Sequence, residues 1–155
     1  MTNNDILRRL RYALEIKDSK MIEIFKLSDH SIAKSDLIDL LKKEEEEGYV
    51  ECSDVVMELF LDGLIIHKRG KREMMPGQVE TQDSPLTNNV ILKKLRSALK
   101  FREDDMLSTL KLAGMSLSKS ELSALFRKEG QRHYKECGDQ ILRNFLKGLT
   151  TRLRD

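Results

Sequence analysis

Two short stretches of this chain carry residue types that could do chemistry. Residues 49–52 read Tyr-Val-Glu-Cys, and residues 134–137 read Tyr-Lys-Glu-Cys, each followed two positions later by an aspartate. A cysteine beside carboxylates is a candidate nucleophile or metal ligand. The candidate motif therefore comprises Tyr49, Glu51, Cys52 and Asp54, repeated as Tyr134, Glu136, Cys137 and Asp139.

Neither chemistry has the partners that it needs in the sequence. A nucleophilic cysteine needs a base, usually a histidine, to form its thiolate. None of His30, His67 and His133 recurs in the other half, which excludes a duplicated cysteine–histidine pair but leaves a site in one half open. The missing C-x-x-C and H-x-x-x-H patterns argue against zinc. We therefore predict no catalytic residue, no metal and no cofactor, and interpret the motif as structural.

The two stretches belong to an internal repeat that spans nearly the whole chain. Residues 3–70 align with residues 88–155 without a gap at an offset of 85, and over a third of the aligned positions are identical. NNDILRRLRYAL corresponds to NNVILKKLRSAL, and Gly63 corresponds to Gly148. Self-similarity at a fixed offset indicates a structural unit that occurs twice.

Helical periodicity runs through both copies. Apolar residues recur at spacings of 3 and 4 in four segments of each half, and no segment alternates as a strand would. Residues 71–87 contain both prolines and show neither period, which predicts a linker. The predicted fold is all-α, with two tandem homologous four-helix repeats, residues 1–70 and 88–155, packed as a pseudo-symmetric helical protein.

Residues at helix boundaries predict how the helices begin. Asn3 or Asn4, with their counterparts in the second half, are expected to cap the first helix of each repeat. Ser118 and Glu121 have the spacing of a capping box, whereas Ala33 replaces the serine in the first half. The third helix of the first repeat is therefore expected to begin differently.

Two further pairs of matching residues predict packing. Gly63 and Gly148 fall inside the fourth helix at a cost of about 1 kcal/mol relative to alanine, which suggests that another helix crosses closely there. Arg11 and Arg96 lie on an apolar stripe, where a long charged side chain usually finds a carboxylate. The recurring candidates for that carboxylate are the glutamate and the aspartate of each candidate motif.

The two halves differ in net charge. Residues 1–70 carry 11 Lys/Arg and 15 Asp/Glu, a net charge of −4, whereas residues 88–155 carry 15 and 8, a net charge of +7. A basic half attracts polyanions, above all nucleic acid, and could equally attract the acidic half of the same or another chain. The predicted polyanion-binding residues are Lys93, Lys94, Arg96, Lys119, Arg127, Lys128 and Arg132.

A helix-turn-helix within residues 106–128 is a less favoured alternative. Its turn would be about two residues longer than the compact turn of 3–4 residues. The first-half counterpart would also turn Asp36 and Asp39 towards phosphates. Generic helix packing therefore explains this segment better than DNA reading does.

Four motifs occur in both halves: NN-x-IL-x-x-LR-x-AL, KL-x-x-x-S, KE followed by Y-x-E-C-x-D, and FL-x-GL. In combination they resemble the YehS-like family, described as domain of unknown function 1456. The resemblance implies a tandem arrangement in a bacterial cytoplasmic protein. It implies no activity, so no catalytic residue transfers. This chain departs from the shared pattern at Ala33 and at Gly138, which replaces Ser53.

The remaining sequence features narrow the class of protein. No apolar run approaches the roughly 20 residues that span a bilayer, and the N-terminus lacks a secretory layout. Two cysteines without an export signal are typical of free thiols in the cytoplasm. We predict a non-enzymatic binding module that contacts nucleic acid or another polyanion, or alternatively a protein-interaction or self-associating adaptor. No membrane contact and no small-molecule substrate is predicted.

Overall fold

The computed structural model describes residues 1–70 and 86–154, in which eight helices and no strand occur. The first repeat contains α1 (Asn3–Leu14), α2 (Asp18–Leu27), α3 (Lys34–Leu40) and α4 (Asp54–Arg69). The second contains α5 (Asn88–Leu99), α6 (Glu103–Leu112), α7 (Lys119–Leu125) and α8 (Asp139–Arg154). Every helix of the second repeat begins 85 residues after its counterpart and has the same length, as the gapless alignment predicts.

The chain divides into two compact units, with the division between Leu86 and Thr87. In the first unit α2 packs mainly on α4, and in the second α6 packs mainly on α8. Phe25 of α2 and Phe60 of α4 lie 5.3 Å apart between ring centroids at the first interface. In the second unit Phe101, which precedes α6, lies 6.4 Å from Phe145 of α8. The predicted linker lies outside the described residues, apart from its last two positions.

Threonine caps the first helix of each repeat, so the prediction of an asparagine cap is wrong. Thr2 Oγ1 accepts a hydrogen bond from Asp5 N at 3.1 Å, and Thr87 Oγ1 accepts one from Val90 N at 3.2 Å. A threonine hydroxyl and an asparagine amide are comparable N-cap groups, so the sequence alone could not show which of the adjacent residues caps the helix. The asparagines lie one and two residues inside the helix and are available for other contacts.

The predicted capping box of α7 is confirmed. Ser118 Oγ accepts from Glu121 N at 3.1 Å, and Glu121 Oε1 accepts from Ser118 N at 2.9 Å. The backbone N–H of Ser118 is the first reason that the pKa of Glu121 lies below its ordinary value. Ala33 offers no side-chain cap to α3, as expected.

A close helix crossing accounts for the glycine in the fourth helix of each repeat. A Cβ atom on Gly63 would lie 2.0 Å from the carbonyl oxygen of Ile24, and one on Gly148 would lie 1.9 Å from that of Thr109. Both distances are far shorter than any van der Waals contact, so only glycine lets the helices meet. The close crossing predicted from the sequence is therefore confirmed.

Candidate polyanion-binding surface

A buried asparagine organises the candidate motif of the first repeat. Asn4 Nδ2 donates to the carbonyl oxygens of Leu40 and Val50, both at 2.9 Å. Asn4 Oδ1 accepts from the backbone N–H of Cys52 at 2.9 Å and from the hydroxyl of Tyr49 at 3.1 Å. The amide thus joins α1 to the end of α3 and to the extended segment that precedes α4.

Asn89 makes three of the four equivalent contacts in the second repeat. Its Nδ2 donates to the carbonyl oxygens of Leu125 at 3.0 Å and Lys135 at 2.9 Å. Its Oδ1 accepts from the backbone N–H of Cys137 at 2.8 Å. Because a buried amide must satisfy its donors and acceptor, this side chain fixes the register between α5 and the segment after α7.

The neighbouring asparagine holds the rest of the motif. Asn3 Nδ2 donates to the carbonyl oxygen of Cys52 at 3.0 Å and to Asp54 Oδ1 at 2.9 Å. In the second repeat Asn88 Nδ2 contacts the equivalent atoms of Cys137 and Asp139, at 3.1 and 2.8 Å. The asparagines were predicted to be helix caps, and their contacts with the cysteine segment were not predicted from the sequence. The signal was present, because the Asn-Asn pair and the cysteine recur together at one separation.

The two cysteines pack in the core. Each side chain is 2% exposed. Burial, followed by the charge of Asp54, raises the pKa of Cys52 to about 12; burial, followed by the charge of Asp139, raises that of Cys137 to about 11. A nucleophilic cysteine needs a lowered pKa, so this environment opposes thiolate chemistry. These thiols behave as small apolar side chains.

The remaining motif residues lie at the surface of their repeats. Tyr49 and Tyr134 are half-buried, and Glu51 and Glu136 are exposed. Burial is the first reason that the pKa of each tyrosine lies above its ordinary value. The tyrosine and cysteine of the first motif therefore meet at the buried amide of Asn4, whereas its glutamate is exposed.

The predicted pairing of the stripe arginines with the motif carboxylates is wrong. Arg11 instead pairs with Asp18 at the start of α2, at 2.7 Å between Nη2 and Oδ1. Arg96 Nε donates to the carbonyl oxygen of Phe101 at 3.1 Å, and its guanidinium lies 4.7 Å from the centroid of the Phe126 ring. Both arginines point towards the C-terminal end of their helix, whereas the motif lies near its N-terminal end.

Four predicted polyanion-binding residues fall on one part of the second repeat. Lys93 lies on α5, and Arg127, Lys128 and Arg132 follow α7; all four side chains are exposed. The hydrogen bond from Asn89 to Leu125 and the Arg96–Phe126 contact bring α5 against the end of α7. We call the four exposed cations the cationic edge.

The other three predicted residues differ from these. Arg96 is occupied by Phe101 and Phe126, so it supports the surface from within. Lys94 is half-buried. Lys119 is exposed at the opposite end of α7, and no contact within the described residues connects it with the cationic edge.

The first repeat pairs the corresponding cations with acids. Arg8, the counterpart of Lys93, pairs with Asp5 and also donates to the carbonyl oxygen of Lys42 at 2.7 Å. Lys42, the counterpart of Arg127, pairs with Asp39 at 2.9 Å. These two cations of the first repeat are thus each paired with a carboxylate three residues away.

Those acids are missing from the second repeat. Asp5 is replaced by Val90 and Asp39 by Ala124. Within residues 86–154 the side chains of Lys93 and Arg127 make no ion pair or hydrogen bond with another described residue. At these two positions the same backbone scaffold therefore presents paired charges in the first repeat and, among the residues that the structure describes, unpaired cations in the second.

A cleft in the first repeat shows the same difference. Its volume is about 430 Å³, and it is lined by Thr2, Asp5, Arg8, Arg9, Lys43, Glu44, Glu45 and Tyr49. Three cations and three acids balance in this lining. At the corresponding positions of the second repeat three lysines remain but only one acid, Glu129, because Val90 and Gly130 replace the other two.

Two other kinds of site are absent from the part of the chain that the structure describes. No helix there is long and apolar enough to cross a bilayer. No group of three or more His, Cys, Asp or Glu side chains in residues 1–70 and 86–154 is placed to hold a metal ion.

The eight helices and the duplicated asparagine contacts define an all-α protein built from two homologous four-helix repeats. The chain belongs to the family described as "Protein of unknown function (DUF1456)", which matches residues 3–70 and again residues 88–155. It is 39% identical over 152 residues to "Uncharacterized protein YehS" of Escherichia coli (strain K12), covering 98% of this chain and 96% of that protein. No solved structure matches the chain.

Proposed function

We propose that this chain is a cytoplasmic, non-enzymatic binding protein whose second repeat binds nucleic acid or another polyanion through the cationic edge. The observation that carries the proposal is the replacement of Asp5 and Asp39 by Val90 and Ala124 on an otherwise equivalent scaffold. Cations without a carboxylate partner are free to neutralise phosphates. The buried thiols with raised pKa support a binding role rather than catalysis.

The acids of the first repeat supply a direct test. The double variant V90D/A124D should pair Lys93 and Arg127 as Arg8 and Lys42 are paired. Each unit charge at contact distance is worth about 1 kcal/mol in water, so losing two phosphate contacts should weaken binding roughly 30-fold. The measurement is fluorescence anisotropy of the full chain with a generic duplex DNA at low salt.

A variant with the same change in net charge at a position outside the cationic edge serves as the control. K147D also lowers the net charge by two, and its new residue matches Asp62 of the first repeat. Lys147 is an exposed residue of α8. We expect it to weaken binding several-fold less than V90D/A124D. Equal weakening by both variants, or no binding by the unaltered chain at low salt, would overturn the proposal.

A second candidate function is self-association through the first repeat. Ile38, Val50 and Val55 are 42%, 49% and 62% exposed. Their counterparts Ser123, Lys135 and Gln140 are polar, so the fold does not require aliphatic side chains there. The first repeat is also acidic and the second basic, which favours contact between the first repeat of one copy and the second repeat of another.

The second repeat supplies the test of this candidate as well. The variant I38S/V50K/V55Q carries the residues that the same scaffold already accommodates. If the candidate is correct, light scattering shows a mass that rises with concentration for the unaltered chain and remains at one copy for the variant. A monomeric mass for the unaltered chain throughout would exclude it.

A further inference from the structure

We infer that the cationic edge recognises its ligand as a linear chain of phosphates and does not contact bases. This inference rests on the proposed function and names the ligand more narrowly. Proteins contact bases by stacking them on exposed aromatic rings or guanidinium planes, or by hydrogen bonds to base edges. The second repeat offers cations for phosphates, but its rings and amides are already engaged.

The aromatic rings of the second repeat are covered. Phe145 is fully buried in the core. The guanidinium of Arg96 lies 4.7 Å from the centroid of Phe126, and that of Arg152 lies 4.7 Å from the centroid of Phe101. Tyr134 is half-buried. A stacking platform for single-stranded nucleic acid needs an open ring face, and none of the four phenylalanine and tyrosine rings of the described second repeat is exposed.

The amide side chains of the second repeat are also engaged. Asparagine and glutamine contact adenine through a free amide, which must offer a donor and an acceptor together. Asn88 and Asn89 hold the candidate motif, and Gln131 Oε1, within the cationic edge, accepts from Lys128 N at 3.0 Å. Gln140 accepts from Arg143, and Asn144 donates to the sulfur of Met115. Every amide side chain in residues 86–154 therefore has a partner within the repeat.

The cations that remain are suited to phosphates. Lys93 and Lys128 present ammonium groups, which act as point charges, and Arg127 and Arg132 present exposed guanidinium groups. Four contacts predict that the logarithm of the binding constant falls with the logarithm of salt concentration at a slope of about −3.6. A ligand without bases should therefore bind as well as one with bases.

The experiment compares three labelled probes with the full chain at low salt. Inorganic polyphosphate carries phosphates without bases, and two duplexes of equal length contain only A·T or only G·C pairs. The duplex pair matters because Arg127 and Arg132 are the residues that could contact guanine. We expect all three affinities, expressed per phosphate, to agree within about tenfold, and V90D/A124D to weaken all three together.

The outcomes separate this inference from the proposed function. If the duplexes bind and polyphosphate does not, or if the two duplexes differ by more than about tenfold, bases are contacted and the inference is wrong while polyanion binding stands. If no probe binds, both are wrong. A homopolymeric single strand that binds much more tightly than either duplex would also overturn the inference, since it would show stacking.

Discussion

Replacing Asn4 by alanine should destabilise the first repeat more than any single polar substitution in the candidate motif that this asparagine holds. The change removes four hydrogen bonds. Two of them, to Leu40 O and Cys52 N, are buried, and water cannot replace them. Each orphaned buried group costs about 1–3 kcal/mol, and the two partly buried bonds add about 0.5–1 kcal/mol each.

The expected loss is therefore about 5 kcal/mol in the free energy of unfolding, with a range of about 3–8. A unit of this size has a total stability of about 3–10 kcal/mol, so the first repeat would lie close to its unfolding midpoint. Urea unfolding of the full chain, followed by far-UV circular dichroism, measures the difference.

Asn3→Ala is the matched control for this prediction. It removes an asparagine one residue away, and its bonds to Cys52 O and Asp54 are partly buried and exposed. Water can replace these partners, so the expected loss is only about 1 kcal/mol. If Asn4→Ala cost no more than Asn3→Ala, the buried amide would not be what joins the cysteine segment to α1, and our account of the motif would be wrong.

Three other predictions concern the scaffold. Gly63→Ala should lower the melting temperature by about 8–16 °C, although alanine normally favours a helix. The reason is that the new Cβ would overlap the carbonyl oxygen of Ile24, at a net cost of about 2 kcal/mol. An unchanged or raised melting temperature would contradict the close crossing. His133→Gly should raise the free energy of unfolding by about 0.5–1 kcal/mol, because His133 has a positive φ of 69°, which favours glycine, and its counterpart Gly48 has φ 88°. A loss of stability would show that the contacts of the imidazole outweigh the cost of this left-handed backbone conformation. The free energy of unfolding of the unaltered chain should exceed that of Cys52→Ala by its full amount below pH 8. Above about pH 8.5 this difference should shrink by up to about 1.4 kcal/mol per pH unit, because burial raises the folded pKa of this thiol to about 12. A difference that stays constant from pH 7 to about pH 10 would argue against burial of a neutral thiol.

The helices could be predicted from the sequence because each depends on local spacing. Apolar periodicity defined four segments per repeat, and the gapless alignment fixed their correspondence, so the pattern of α1–α4 recurs in α5–α8. Gly63 was equally informative, because a glycine inside a helix has few explanations other than close packing. Such rules depend only on residues that are close in the sequence, so they hold without knowledge of the tertiary structure.

The polar contacts could not be predicted in the same way, because they depend on which segments meet. From the sequence, Arg11 could pair with the carboxylates of the candidate motif or with Asp18. The turn between α1 and α2 places Asp18 Oδ1 2.7 Å from Arg11 Nη2. Asn4 looked like a cap because it stands at a helix start, whereas its partners lie 36 to 48 residues away. Thr2, a weaker signal in the sequence, took the capping role.

The duplication also shows where a function should be sought in this chain. A site present in both repeats would require the same accessible side chains twice, but Asn4 and Cys52, which anchor the shared motif, are buried together with their counterparts. Several accessible positions instead differ in chemical character, as where Asp5 is replaced by Val90. Since the backbone contacts around these positions are equivalent, the exchange changes surface charge without changing the fold. The differences between the repeats, rather than their common motif, therefore carry the binding proposal.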